Sequence, residues 1–280
     1  MILMSCNGIG IMDNVYDDPT SDTGGGAEKE DETVSGTIVI NASTFANWAY
    51  IDFHAIRDSI EAGLTPTCTP VYMDIPLTAT TTAPDDEQSG VYFRWYDVFG
   101  KGLNFNRRAT AAEVTAIKRN MPDELKKDVP MFPTAPQPEP DSWDIAFHYC
   151  NVRTNGGGVY QTPLTSTGYA TDWSMVGNKA DYDKMVFNED TWNENWVWIN
   201  RNAMLAGVIA CQGIRINETL GTWLEFSLKN LAPLWNHRSN IYILRMKDGT
   251  MAALNLVNYK GGPDGSTTGY LTINFLYPLK

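Results

Sequence analysis

The sequence predicts a mostly β protein: one antiparallel domain with an insertion that carries a helix. Three observations favour this fold class. The composition is rich in residues typical of turns and strands, with 23 Gly, 15 Pro, 9 Trp and 13 Tyr. Short apolar runs alternate with polar residues, as half-buried strands do. Asp248-Gly249 separates two such runs, which is the strongest short-range signal of a β-hairpin.

Charge and hydropathy exclude two classes of protein. The 280 residues carry a formal net charge of −12 and a sequence pI near 4.6, which argues against a nucleic-acid binder, since phosphate needs a basic face. The sequence has no apolar run of the ~18 residues that a membrane-spanning helix requires.

The first 36 residues carry much of the negative charge, with eight acidic residues against the single base Lys29. Residues 7–35 therefore predict a flexible, self-repelling tether. Before it, Leu3-Met4-Ser5-Cys6 resembles a bacterial lipobox, so residues 1–6 are interpreted as the remnant of a lipoprotein signal and Cys6 as a lipidated residue. The alternative is an ordinary apolar start with a chance cysteine. The folded domain is expected over residues 36–280.

The first part of the domain predicts short strands. Alternating or β-branched residues place them at Gly36–Ile40, Trp48–His54, Val71–Ile75 and Val91–Tyr96.

An insertion is expected over about residues 58–140, and it carries the helix that the sequence predicts. Thr110 and Glu113 have capping-box spacing, and Pro122 ends the pattern. One face of this helix is apolar: Val114, Ile117 and Met121.

The second half is more regular. Its predicted strands are Trp143–His148, Trp196–Ile199, Gly221–Phe226, Ile241–Met246, Met251–Tyr259 and Gly269–Tyr277. A turn is expected at Asn155–Gly158.

Familiar catalytic motifs are absent from the sequence. It contains no HExxH, no GxSxG and no P-loop pattern, so an enzyme is not predicted, although two carboxylates that meet only in space stay open. No CxxC occurs, and Cys68, Cys150 and Cys211 are expected either as one disulfide plus a thiol or as three small core residues.

Two motifs carry a resemblance to a known family. Trp143-Asp-Ile-Ala-Phe-His148, followed by Arg153-Thr-Asn-Gly-Gly157, is similar to the HmuY family of haem-binding surface lipoproteins. Gly221-Thr-Trp-Leu-Glu-Phe-Ser227 and the C-terminal Thr272–Lys280 also resemble it. The resemblance implies a β-rich, hand-like fold that grips one haem b between loops. His148 is expected to be structural, because a strand histidine is more often a satisfied core residue than a ligand.

The resemblance also implies a pair of axial ligands, one on a central loop and one just after the WLEFS strand. Leu228 stands at the second position and cannot ligate iron. Met204 is therefore the first candidate ligand, with Met175 or His237 as its partner, because thioether and imidazole both ligate haem iron. The alternatives are gap-filling methionines in the core and a solvated loop histidine.

The expected function is a non-enzymatic surface lipoprotein that binds haem or a related porphyrin and acts in iron acquisition. An outer-membrane haem transporter is an expected partner, and the protein is expected at the outer membrane through its lipid anchor, or released. The alternative keeps the fold and gives it a glycan or a protein as its ligand, because exposed Trp and Tyr suit either role.

Overall fold

The computed structural model describes residues 32–43, 47–65, 69–74, 93–97, 139–167, 169–198, 208–229 and 232–280. Within them the strands are, in chain order, β1 (Val34–Asn41), β2 (Asn47–Ile51), β3 (Val71–Asp74), β4 (Phe93–Asp97), β5 (Ile145–His148), β6 (Asn151–Thr154), β7 (Gly158–Thr165), β8 (Asn188–Glu189), β9 (Thr191–Trp198), β10 (Val208–Ile216), β11 (Leu224–Lys229), β12 (Ala232–His237), β13 (Asn240–Arg245), β14 (Met251–Gly261) and β15 (Thr267–Tyr277). The helices are α1 (Phe53–Glu61), α2 (Lys179–Tyr182) and α3 (Glu218–Gly221), with a 3₁₀ turn at Trp173–Met175.

The strands form antiparallel sheets, which confirms the mostly β fold class. The largest sheet has the order β1-β15-β14-β13-β7-β8, and a four-stranded sheet has the order β3-β2-β5-β6. A three-stranded sheet (β4-β10-β9) and a two-stranded ribbon (β11-β12) complete the described part. The predicted hairpin is confirmed: Arg245 pairs with Met251, and Gly249 takes the positive φ of +87° that the turn needs.

Three apolar clusters pack against the sheets. The inner cluster lies between the six-stranded and four-stranded sheets and includes Ile38, Phe53, Phe147, Leu254 and Ile273. The outer face of the six-stranded sheet is covered by the segment 173–187, whose Val176, Tyr182 and Phe187 pack on Ile241 and Ile243. The third cluster joins the four-stranded sheet to β9 and β10 through Trp48, Tyr50, Trp143, Ala146, Val197, Ile214 and Ile216.

The strand predicted over Trp48–His54 is wrong in its second half. The strand β2 ends at Ile51, and helix α1 begins at Phe53. The Asp52 side chain accepts a hydrogen bond from the Ala55 amide at 3.0 Å and so caps the helix. Phe53 and Ile56, three residues apart, both point into the inner core.

Two further boundaries differ from the predictions. The strand β1 starts at Val34, two residues before the expected domain start. The strand predicted from Gly221 begins only at Leu224, because Gly221 ends α3, which Asn217 caps by accepting from the Leu220 amide at 3.0 Å. The sequence analysis also does not predict β6, β7, β8, β10 or β12.

Some predicted features lie outside the described residues, namely the capped helix after Thr110, Cys6 with residues 7–31 of the tether, and Cys68; the last two residues of the predicted tether, Val34 and Ser35, belong to β1 instead. Cys150 is a free thiol packed against the inner core, and its burial raises its pKa to about 12. No helix in the described ranges has the length and apolar character that a membrane crossing requires.

Candidate functional site

The Trp-Asp motif before β5 holds the interior together. Trp143 packs edge-on against Tyr50, with ring centroids 5.1 Å apart. The Asp144 Oδ2 atom accepts a hydrogen bond from the Phe53 amide at 2.6 Å, at the start of α1, and Oδ1 lies 3.1 Å from His54 Nε2. Burial raises the pKa of Asp144 to about 6, against the opposing effects of His54 and the Phe53 amide. This carboxylate therefore fastens α1 to β5.

His148 and Arg153 lie in the same interior. The His148 side chain is fully buried, and its ring centroid lies 5.1 Å from that of Trp48, as expected for a structural residue. The Arg153 guanidinium lies 5.4 Å from the Trp48 ring centroid and 5.0 Å from that of Trp143. It also forms an ion pair with Glu139, and both side chains of this pair are at least 90% buried. Two aromatic rings and one carboxylate thus compensate for the desolvation of the cation.

The glycine-containing turn after Arg153 is likewise structural. The Thr154 amide and hydroxyl donate to Asp190 Oδ2 and Oδ1 at 2.7 and 2.9 Å. Gly156 has a φ of +73°, and a Cβ on Gly157 would overlap the carbonyl oxygen of Arg245. Only glycine lets the backbone approach β13 this closely.

The structure describes only some of the residues considered as iron ligands. Met204 lies outside the described residues, as does Cys6, so both stay predictions. Leu228 is on β11, in register opposite Pro233 of β12. His237 is the last residue of β12 and not a loop residue, because the chain continues in register with Leu224 up to that point.

The His237 ring has a defined hydrogen-bonding state. Its Nε2 atom lies 2.7 Å from the backbone oxygen of Leu256. A carbonyl oxygen only accepts, so Nε2 donates this hydrogen bond and Nδ1 is the ring nitrogen left to bind a metal. Metal-ligating histidines typically donate their other N–H to such a backbone carbonyl. The half-buried His237 is therefore suited in its donor chemistry to ligate haem iron.

Aromatic side chains collect beside His237. The ring centroid of Tyr259 lies 5.6 Å from that of His237 and 6.4 Å from that of Trp235. Tyr149, which has a φ of +57°, packs 5.1 Å from Trp235. The Lys260 ammonium lies 5.6 Å from the Tyr259 ring centroid. Flat apolar surfaces next to a cation suit a planar, largely apolar ligand that carries carboxylates.

Sequence reasoning did not bring the three members of this aromatic group together. Tyr149 follows the Trp-Asp motif, Trp235 lies on β12 and Tyr259 on β14, so no window of the sequence contains all three. Only the packing of β12 against β14 brings them together.

The comparisons with known proteins identify the family. The model of the HmuY protein family matches residues 44–275, which is most of the chain. The chain belongs to the HmuY family. Comparison with curated protein sequences gives no match.

Solved structures agree with this membership. A Bacteroides vulgatus protein assigned as HmuY-like and haem-binding matches with 25% identity and a TM-score of 0.52, covering 88% of this chain and 93% of its own. A Bacteroides fragilis protein assigned as a lipoprotein matches with 21% identity and a TM-score of 0.54, covering 91% and 94%. The apo HmuY analogue of Tannerella forsythia matches with 15% identity and a TM-score of 0.53, covering 89% and 98%. The last two are similar in fold alone.

In this HmuY-family protein, Met175 and His237 are associated with opposite faces of the six-stranded sheet. Met175 ends the 3₁₀ turn, is 45% exposed, and has Trp173 and Val176 beside it on the outer face. Trp235 and Tyr259, the neighbours of His237, pack on the inner cluster instead. Successive side chains of a strand point to opposite faces, so these two residues are poorly placed to ligate one iron atom together.

Proposed function

We propose that this protein binds one haem b, or a related porphyrin, as a non-enzymatic surface lipoprotein of the HmuY family. Family membership supports the proposal, as does the likeness to the B. vulgatus protein assigned as haem-binding. The observation that carries it is the His237 ring, which donates from Nε2 to a backbone carbonyl and lies against an aromatic group.

The proposed ligand pair is Met204 with His237. Met204 precedes the WLEFS strand at the position that the family resemblance implies for the central-loop ligand. His237 is preferred to Met175 because of the aromatic group on its side of the six-stranded sheet, which supplies flat walls for a porphyrin. Lys260 and Arg238 would meet the propionates. Arg238 donates to Glu225 Oε1 at 2.9 Å, and both side chains are about 40% exposed, so this ion pair can exchange partners at small cost.

Bound haem would supply an iron centre and a chromophore, and the residues of this chain would orient the porphyrin and exclude water. Tyr149, Trp235 and Tyr259 offer apolar faces for the macrocycle. The Leu256 carbonyl holds the His237 tautomer with its lone pair on Nδ1. The apolar contacts and the orientation of the imidazole are thus set before the ligand arrives, which lowers the ordering cost of binding.

A haemin titration tests the proposal. We expect a sharpened, red-shifted Soret band that saturates at about one haemin per chain, because axial ligation changes the electronic spectrum of the iron porphyrin. A broad change that does not saturate would contradict haem binding.

The lipid anchor at Cys6 and delivery to an outer-membrane haem transporter belong to the same proposal. Chain produced with a functional export signal should partition with membranes, and Cys6→Ser should move it to the soluble fraction. Equal partitioning of the two forms would contradict the anchor.

A further inference from the structure

A second candidate site lies beside β7, away from His237. An open groove of about 560 Å³ runs between β7, α3 and the stretch before β8. Its described lining comprises Tyr160, Gln161, Val186, Asn188, Glu218, Thr219 and Thr222. None of the residues described above around His237 is among them. The volume falls within the range that small-molecule sites occupy.

Three polar side chains of this groove are not used by the described fold, whereas the Thr222 hydroxyl bonds to the Thr219 carbonyl. In the described part of the chain, no hydrogen bond involves the side chain of Gln161, Asn188 or Glu218. By contrast, other amide side chains of the domain bind the backbone: Asn217 caps α3, and Asn255 donates to Ser239 and Asn240 carbonyls at 3.1 Å. Two side-chain amides and one carboxylate that can still form hydrogen bonds thus line one concave surface.

The chemistry of the lining selects the ligand class. No Lys, Arg or His occurs among the described lining residues, so phosphate, sulfate or carboxylate groups would find no charged partner. Amide groups both donate and accept, and a carboxylate accepts from two donors, which matches ligand hydroxyls that each donate and accept.

The groove also has apolar faces. Tyr160 is held by Tyr182 and Phe187, with ring centroids 6.2 and 6.1 Å away, and Val186 is 78% exposed at the rim. The lining thus includes an aromatic residue and an exposed apolar side chain, residue types that suit the C–H face of a pyranose. We propose that this groove binds a neutral saccharide of two or three units.

A peptide that adds a strand to β7 is the less favoured occupant. The strand β8 pairs with only Gly158 and Val159 of β7, which leaves the following edge open within the described residues. Pro163 stands on that edge and has no N–H to donate. A continuous ladder with an added peptide is therefore interrupted.

Ligand-observed NMR on the haem-free full chain tests the proposal, with cellobiose, maltose, lactose and N,N′-diacetylchitobiose as probes. We expect saturable binding of at least one probe below about 10 mM, an affinity ordinary for a small polar ligand. The double variant Gln161→Ala/Glu218→Ala should weaken it at least tenfold. Its urea midpoint should stay unchanged, because the described fold does not use these two side chains.

The matched control is Asp141→Ala, which removes an exposed carboxylate away from the groove and should leave the affinity as it is. Two results would overturn the proposal: no saturable binding of any of the four disaccharides, or binding that the double variant leaves unchanged. A third would replace it, namely saturable binding of acetyl-Thr-Val-Thr-Val-amide that the double variant abolishes.

Discussion

The motif region around β5 and β6 and the ribbon of β11 and β12 differ in what their side chains do. In the first, Asp144, His148 and Arg153 are buried among aromatic rings and main-chain amides. In the second, Trp235 and His237 stay half-buried next to Tyr259 and Lys260. The residues that reveal the family therefore hold the sheets together, whereas the candidate ligand His237 lies on the ribbon in which Leu228 departs from the family pattern. Substitutions in the first region should change stability, and substitutions in the second should change binding.

The largest effect is expected from Arg153→Met. It leaves Glu139 buried with no guanidinium, so the free energy of unfolding should fall by about 3–5 kcal/mol, as when one partner of a buried ion pair is removed. Urea unfolding of the haem-free protein measures this. The double variant Glu139→Leu/Arg153→Met is the control and should recover much of the loss. A single variant within about 1 kcal/mol of wild type would contradict the structural role of the pair.

Gly157→Ala should cost about 1–3 kcal/mol of unfolding free energy, because the added Cβ meets the backbone of β13, which cannot move aside cheaply. Gly221→Ala is the matched control, since a Cβ there meets nothing within 4 Å. Thermal unfolding of the two variants should separate them clearly. Equal melting temperatures would contradict the close approach of this turn to Arg245.

In the ribbon region, His237→Ala should weaken haemin binding at least tenfold, or about 1.4 kcal/mol. His237→Gln should weaken binding equally. The glutamine amide can still donate to the Leu256 carbonyl, but the variant has no imidazole nitrogen to ligate iron. Met204→Ala should shift the Soret maximum and lower the affinity at least tenfold as well.

Met175→Ala is the control for this set, since its neighbours Trp173 and Val176 pack on the outer face of the six-stranded sheet. Its Soret band and affinity should match those of the wild type. If Met175→Ala lost haemin binding and His237→Ala kept it, Met175 would replace His237 as the proposed partner of Met204.

A thioether ligand also favours ferrous iron, so dithionite should strengthen binding.

The smallest effect concerns pH and Asp144, whose folded pKa of about 6 lies above the ordinary value of 3.8 because of burial. The folded state then holds this proton longer than the unfolded state does. Its contribution to stability is complete below about pH 4 and is lost as the pH rises through about 6. The unfolding free energy of wild type relative to Asp144→Asn should therefore fall over this interval.

Asp264 gives the opposite trend as a control, because hydrogen bonds from Ser266 and Thr267 lower its pKa to about 2. Its contribution is present above the ordinary pKa and is lost as the pH falls through about 2. Urea titrations between pH 2 and 7 compare the two Asn variants with wild type. If the difference in unfolding free energy between wild type and Asp144→Asn stayed constant from pH 4 to 6, this would contradict the raised pKa of Asp144.

Local sequence signals predicted the fold class and the hairpin, because turn residues and apolar alternation act over a few neighbouring positions. They failed at Phe53 and His54, where alternating apolar residues suggested the end of a strand and the Asp52 cap of α1 was overlooked. The motif residues pointed to the family, and His237 was named from its place after Leu228. The sequence could not predict that His237 lies on a strand, nor that the neighbours of Met175 pack on the outer face of the six-stranded sheet. Both placements depend on contacts with segments distant in the chain.

The sequence by itself determined the antiparallel β class, the Asp248-Gly249 turn and the HmuY resemblance, since each rests on short segments whose chemistry is complete locally. The tertiary structure decided what those segments do. Asp144 became the anchor of α1 because Phe53, 91 positions earlier, presents its amide to the carboxylate. His237 gained its fixed tautomer because β14 brings the Leu256 carbonyl within 2.7 Å. Contacts between distant segments form only when the sheets pack, so no pattern within one segment contains them.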